Sequence, residues 1–239
     1  MDRSTLVFLA KLAEQAERYT DMVDHMKTVT KDNTQELSME ENNLLLVAYK
    51  NEVGPRRAAW RVLRSIENKS TDKTHLATIQ SYRAKVEEEI HAICADVMDL
   101  ADDALLPFAH STESLTFHHK MKGDYYRYWA EIQPDSTATN VKAKLAQASY
   151  KAAWALATVD LPPTHPLRLA LALNYAVFYY EILEDPASAC RLAKRAFDDA
   201  IAELDALSDD SYRDTTLIMQ LLRDNVTLWT ALDEDEKTI

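Results

Sequence analysis

Lys50, Arg57 and Arg61 are the residues of this chain whose type and spacing first suggest chemistry. On a helix, Lys50 and Arg57 lie about two turns apart and leave the same face, and Arg61 continues that stripe. A second cluster, Lys120-Met121-Lys122-Gly123-Asp124-Tyr125-Tyr126-Arg127-Tyr128, adds further cations and several tyrosine hydroxyls. Lys50, Arg57, Arg127 and Tyr128 together supply three cations and a hydroxyl. A phosphorylated side chain carries about −1.5 to −2 charges and three acceptor oxygens. Holding one requires several convergent donors, and arginine is favoured because its planar fork binds two oxygens at once. Charge-assisted hydrogen bonds contribute on the order of 1.5–3 kcal/mol each, enough to separate phosphorylated from bare serine. Local sequence leaves two readings open: an anion pocket, or surface cations paired with neighbouring acids.

The elements that must position these groups are helices. The 239 residues include only two glycines, and Leu, Ala, Glu, Lys and Gln are abundant, which indicates an all-α chain. Helical periodicity predicts segments over about 3–17 and 19–32. Ser38 with Glu41 forms a capping box that opens a long helix to about residue 69. A further helix covers 74–106 and stops at Pro107; the next, 112–133, stops at Pro134. One more runs over 136–159 to Leu161-Pro162-Pro163. Thr164 precedes a helix with Pro166 in its first turn. Asp185-Pro186 repeats that start signal, and the Ser208-Asp209-Asp210-Ser211 run opens the last helix, where acids suit the positive end of the dipole. Nine helices with short connections predict one domain over residues 1–232, and the charged residues 233–239 predict a short, flexible, acidic tail.

A formal net charge of −12 argues against nonspecific nucleic-acid binding and against docking on an anionic membrane. No charged-then-apolar leader is seen at the N-terminus, and no apolar run approaches the ~20 residues of a membrane span. Cys94 and Cys190 sit far apart in helical contexts and read as thiols in a reducing compartment. Cytoplasm, with access to the nucleus, is the expected location. His118 and His119 are adjacent, so on a helix they diverge and make a poor metal pair. No HExxH, P-loop, G-x-S-x-G or glycine-rich nucleotide turn occurs, so neither an enzyme nor a metal or other cofactor is expected.

The last third offers a groove. Asn174, Val177 and Glu181 recur at helical spacing, and Leu217, Ile218, Leu221, Asn225, Leu228 and Trp229 form a helical stripe. Asparagine carries one acceptor and two donors, suited to gripping an extended peptide backbone. An asparagine bonded to a neighbouring helix fits the same pattern.

Several long, ordered blocks resemble 14-3-3 proteins. They are Asn43 through Asn51, Lys120 through Tyr128, Pro163-Thr164-His165-Pro166, Tyr175 through Glu181, and Asp214 through Trp229. The resemblance implies a nine-helix protomer that dimerises into a cup with two amphipathic grooves, each binding a client segment that contains phosphoserine or phosphothreonine. It makes Lys50, Arg57, Arg127 and Tyr128 the phosphate pocket, with Arg61 in support. Asn174 and Asn225 would bond the peptide main chain, with Glu181 and Trp229 beside it. Leu173, Val177, Leu217, Ile218, Leu221 and Leu228 would form the apolar wall. Leu12, Ala13 and Ala16 would pack on Leu63, Ile66 and Tyr82 of a partner, and Arg18–Glu89 and Asp21–Lys85 would pair across the two-fold axis. The partner would be an identical or a related protomer.

The chain departs from the family pattern at Gly54-Pro55, where a kink would alter the Lys50–Arg57 alignment. It departs also at Glu52, Ala59 and Asp185, and Ala59 removes a phosphorylatable serine from the dimer face. A second function class is a helical scaffold that binds unphosphorylated amphipathic segments through the apolar wall alone.

Overall fold

The computed structural model describes residues 1–32, 35–133, 140–204 and 209–236. Among the described residues the chain is all-α, with nine α-helices and no strand. These residues fall into two compact units, Met1–His110 with Ile132–Pro134, and Ser111–Glu131 with Asp135–Ile239.

The first unit holds α1 (Arg3–Gln15), α2 (Tyr19–Lys31), α3 (Met39–Lys69) and α4 (Lys73–Leu100). α4 does not run on to Pro107. It gives way to a π-helical turn, Ala101–Leu105, and a 3₁₀ turn, Leu106–Phe108, in which Pro107 lies near the start, where no donor is needed. The expected capping box is present: Glu41 N–H donates to Ser38 Oγ at 3.2 Å, and Ser38 N–H to Glu41 Oε2 at 2.8 Å. The same carboxylate receives Arg3 through two bonds of 2.7 and 2.9 Å, which ties α1 to the start of α3.

α3 stays helical from Met39 to Lys69 with Pro55 inside it. Proline cannot donate to the carbonyl one turn back, which weakens the ladder there. Arg56 braces that turn: its Nη1 donates to the Glu52 carbonyl at 2.5 Å, Nη2 meets Glu52 Oε1 at 3.0 Å, and Nε meets Glu89 Oε2 of α4 at 3.0 Å. Inside the unit, Lys27 Nζ and Tyr49 OH both donate to Asp96 at 2.6 Å, pinning α2 and α3 to α4. Burial and the Asp96 charge push the Tyr49 hydroxyl far above its ordinary range, so it remains a donor.

The second unit holds α5 (Thr112–Glu131), α6 (Val141–Asp160), α7 (Pro166–Glu181), α8 (Pro186–Ile201) and α9 (Asp209–Glu236). Proline opens α7 and α8 as expected, with His165 rather than Thr164 as the cap of α7 and Asp185 capping α8. His165 Nδ1 accepts from Leu167 N–H at 3.2 Å, doing what a Ser or Asp would do. α6 is helical from Val141; residues 136–139 of the expected helix lie outside the described residues, as does Ser208. α9 continues through Glu236, and residues 237–239 of the expected tail are also outside them.

Alanine sets how closely these helices approach. Ala143, Ala146, Ala153 and Ala157 are buried along one face of α6, and Ala189, Ala193, Ala196 and Ala200 along one face of α8. Gly123 of α5 serves the same end, since an added Cβ would lie 2.7 Å from the Tyr150 ring of α6. Large side chains fill what remains: Tyr150, Tyr175 and Phe178 in one cluster, Leu169, Met219, Leu222 and Trp229 in another.

Candidate functional site

On α3, Lys50 and Arg61 are exposed and Arg57 is half-buried. Among the described residues Lys50 makes no ion pair, although Arg56 and Glu52 pair with each other one turn away. The helix continues through Gly54-Pro55, so the stripe sits on one helix from start to end.

On α5 the cations are buried. Lys120 is 7% exposed, Arg127 6% and Asp124 3%. Asp124 is the hub: Lys120 Nζ donates to it at 2.7 Å, Tyr150 OH at 2.6 Å, Asn174 Nδ2 at 2.9 Å and Arg127 Nη2 at 3.4 Å. Arg127 Nε donates to Tyr150 OH at 3.0 Å, and its guanidinium lies 4.7 Å from the centre of the Tyr128 ring. Burial alone would push the Asp124 carboxyl up; the charges of Lys120 and Arg127, with hydrogen bonds from Lys120 and Tyr150, instead hold it below the usual carboxylate range. Burial drives the Tyr150 hydroxyl well above its ordinary value, so it stays protonated. One carboxylate therefore faces two buried cations. The cluster carries a net positive charge with little water to solvate it, and an anion is what that environment lacks.

Asn174 is half-buried, and its Nδ2 is committed to Asp124 while its carbonyl oxygen makes no hydrogen bond among the described residues. The reading of Asn174 as an asparagine bonded to a neighbouring helix therefore holds, through its amide nitrogen. Asn225 is half-buried on α9 and Glu181 exposed at the end of α7. Leu217, Leu221 and Leu228 are 62%, 46% and 55% exposed on α9, while Ile218 is half-buried, as are Leu173 and Val177 on α7. Trp229, expected beside a bound chain, is 4% exposed and stacks on Tyr180 with ring centres 4.9 Å apart, so its ring belongs to the core.

A sequence model of the 14-3-3 protein family matches residues 9–230. A 14-3-3-like protein of Chlamydomonas reinhardtii is 56% identical over 239 aligned positions, covering 98% of this chain and 92% of the relative. A 14-3-3 protein homolog of Candida albicans is 56% identical, covering 97% and 88%. The 14-3-3-like protein GF14 iota of Arabidopsis thaliana is 53% identical, covering 98% and 88%. The chain belongs to the 14-3-3 family. Membership supports a phosphopeptide-binding adaptor role and not an enzymatic one, and it implies phosphorylated client proteins and dimerisation. No described helix is long and apolar enough to cross a membrane.

The face that the 14-3-3 resemblance assigns to dimerisation is mixed. Leu12, Ile66 and Tyr82 are 44%, 47% and 58% exposed, Ala16 is exposed and Leu63 half-buried. Ala13 is 7% exposed and packs inward. Within this chain Arg18 Nε binds Asp21 at 2.5 Å and Glu89 receives Arg56, while Lys85 is exposed. Sequence reasoning missed Phe8, 60% exposed and one turn before Leu12, although that spacing was legible. It also missed Asp124 and Tyr150. Asp124 could have been found from its spacing to Lys120 and Arg127 on one helix face. Tyr150 lies on another helix and carried no local signal.

Proposed function

We propose that this chain is a phosphoserine- and phosphothreonine-dependent adaptor whose phosphate ligands are Lys50 and Arg57 of α3 and Arg127 and Tyr128 of α5, with Arg61 in support. The observation that carries this reading is the uncompensated charge of the α5 cluster, two buried cations on one carboxylate. The Asn174 acceptor and Asn225 bond the client main chain, Glu181 flanks it, and the leucines of α9 with Leu173, Val177 and Ile218 cover its apolar residues. The protein acts as a dimer, with itself or a related protomer, through the apolar face of α1, α3 and α4. A dimer offers two sites, and linking two phosphosites on one client raises avidity by ~10²–10⁴. The acidic net charge leaves nucleic acid and membrane surfaces outside its partners, and its place is the cytoplasm, with nuclear access. No metal or other cofactor takes part.

The test is fluorescence anisotropy with a matched Arg-Ser-x-Ser-x-Pro peptide pair, phosphorylated or not at the second serine. Only the phosphorylated peptide should bind, and Lys50→Glu should abolish binding without changing helicity. Retained binding by that variant would sink the assignment. Exposed leucines on α9 also favour a second mode, in which an unmodified amphipathic segment uses the wall and offers Glu or Asp to the cations; its affinity would be indifferent to phosphatase treatment of the client.

A further inference from the structure

Helices α6, α7 and α8 form an open pocket of about 290 Å³ in which none of the proposed phosphoserine ligands takes part; Trp154, Tyr175, Tyr179, Ser188, Arg191 and Arg195, with Leu192, line it. Its floor is aromatic. The Tyr175 and Tyr179 rings stack with centres 4.8 Å apart, Tyr175 is 4% exposed, and Tyr179 and Trp154 are half-buried and leave ring surface at the pocket. Its rim is cationic. Arg191 and Arg195 stand one turn apart on the same face of α8. Arg191 uses Nη2 on Ser188 Oγ at 2.8 Å, which steadies the side chain and leaves Nε and Nη1. Arg195 is 80% exposed and reaches Asp199 only at 3.7 Å.

The hydroxyls add to the same imbalance. Tyr175 OH and Tyr179 OH lie 3.1 Å apart and share one hydrogen bond, so one of their two protons has no acceptor among the described residues. Asp185 caps the α8 N-terminus, where it accepts from Ser188 N–H at 2.9 Å. The pocket therefore presents mainly donors, two guanidinium forks and a phenol above flat ring faces, with Asp199 beside Arg195 and the Asp185 charge acting on Arg191.

The geometry points to a site for an aryl phosphate, its ring on Tyr179 and Trp154 and its phosphate between Arg191 and Arg195. A phosphomonoester suits the rim better than a carboxylate. Its three terminal oxygens and near-double charge can meet both forks and the phenol, whereas a carboxylate satisfies one fork. The volume sits just under the ~300–1,000 Å³ of small-molecule sites, so the ligand is one ring with its phosphate. Phosphoserine has no ring for the floor and belongs to the other set of cations.

The test uses phenyl phosphate, inorganic phosphate and phenol as probes, measured by calorimetry on the full chain in a Lys50→Glu background. Phenyl phosphate should bind saturably, with inorganic phosphate and phenol each weaker by about tenfold or more. The double variant Arg191→Ala/Arg195→Ala, both sites exposed, should keep its helicity and lose about tenfold or more of phenyl phosphate affinity. Unchanged affinity in that variant overturns the proposal. So does inorganic phosphate binding as well as phenyl phosphate, because the aromatic floor would then contribute nothing. A capped phosphotyrosine distinguishes the sources. Tighter binding than phenyl phosphate assigns the site to a tyrosine-phosphorylated chain, and weaker binding assigns it to a free aromatic phosphomonoester.

Discussion

Replacing Asp124 by Asn tests the buried charge cluster directly. The substitution keeps volume and shape and removes one negative charge that Lys120, Arg127, Tyr150 and Asn174 all address, three of the four bonds being 2.9 Å or shorter. Lys120 and Arg127 are 7% and 6% exposed, so water cannot take over the lost partner. Breaking a buried pair by removing one partner costs about 3–5 kcal/mol, and here one deletion strands two cations. Against a total stability of roughly 5–15 kcal/mol, that is a large fraction. Tyr150→Phe, which removes one neutral hydroxyl from the same cluster, should cost only about 1–3 kcal/mol. Urea unfolding followed by circular dichroism, at fixed protein concentration because a dimer would make the midpoint concentration-dependent, reads both. A loss below about 1 kcal/mol for Asp124→Asn would refute the reasoning, since an exposed pair would behave that way.

The same carboxylate sets a pH dependence. Its folded pKa is depressed, so its contribution is complete above the unfolded value of about 3.9 and is lost as pH falls through the folded value. The gap in urea midpoint between the parent and Asp124→Asn should therefore stay flat from about pH 7 to 5 and close in the acid range below; a gap that closes between those two would assign it to another group. The two glycines should respond differently. Gly54 has nothing within 4 Å of an added Cβ beyond its chain neighbours, but that Cβ would adjoin the Pro55 ring, which disfavours the helical conformation of the preceding residue. Gly54→Ala should therefore gain less than the ~0.5–1 kcal/mol of an ordinary helix position, whereas Gly123→Ala drives Cβ to 2.7 Å from Tyr150 and should cost about 1–3 kcal/mol, both read from thermal midpoints. Leu217→Asp with Leu221→Asp changes side chains that are 62% and 46% exposed, so stability should hold within about 0.5 kcal/mol. Phosphopeptide affinity should fall about tenfold or more, because each leucine buried under a client contributes up to ~1.5–3 kcal/mol; unchanged anisotropy would place the client elsewhere.

Local signals served where a helix face or a cap decides the outcome. The all-α class, the Ser38–Glu41 box and the proline starts of α7 and α8 follow from residues within one turn of each other, and the structure has them. Signals failed where a distant partner decides. At Pro55 the helix keeps its course from Met39 to Lys69 and Arg56 reaches both Glu52 and Glu89, and nothing in the sequence pairs Arg56 with α4. Trp229 follows Leu228 on the same helix, yet one is 4% exposed and the other 55%. A helical stripe wider than the exposed face always has an edge that turns inward, and only the position of Tyr180 on α7 shows where that edge lies. For Asn174 the sequence identified a polar group in an apolar stripe but not its partner, fifty positions earlier in α5.

The difference in burial between Lys50 and Arg127 bears on how a phosphate would be held. Arg127 is already desolvated and is oriented by Tyr150, Asp124 and the face of Tyr128 before any ligand arrives. Its loss of rotamer freedom and hydration belongs to folding, and Asp124 offsets that cost, so little remains to be lost on binding. Lys50 is exposed and unpaired among the described residues, so its ordering and partial desolvation fall within the binding step. The two cations should then act on different quantities. In the proposed phosphate site Arg127 would supply direction, because its planar fork is fixed by its own neighbours. Lys50 would supply attraction through solvent, which acts before contact and weakens as salt shortens the Debye length. A second acid in the cluster would neutralise it and hold Arg127 as firmly, and on the proposed reading it would remove the excess charge that favours a phosphate.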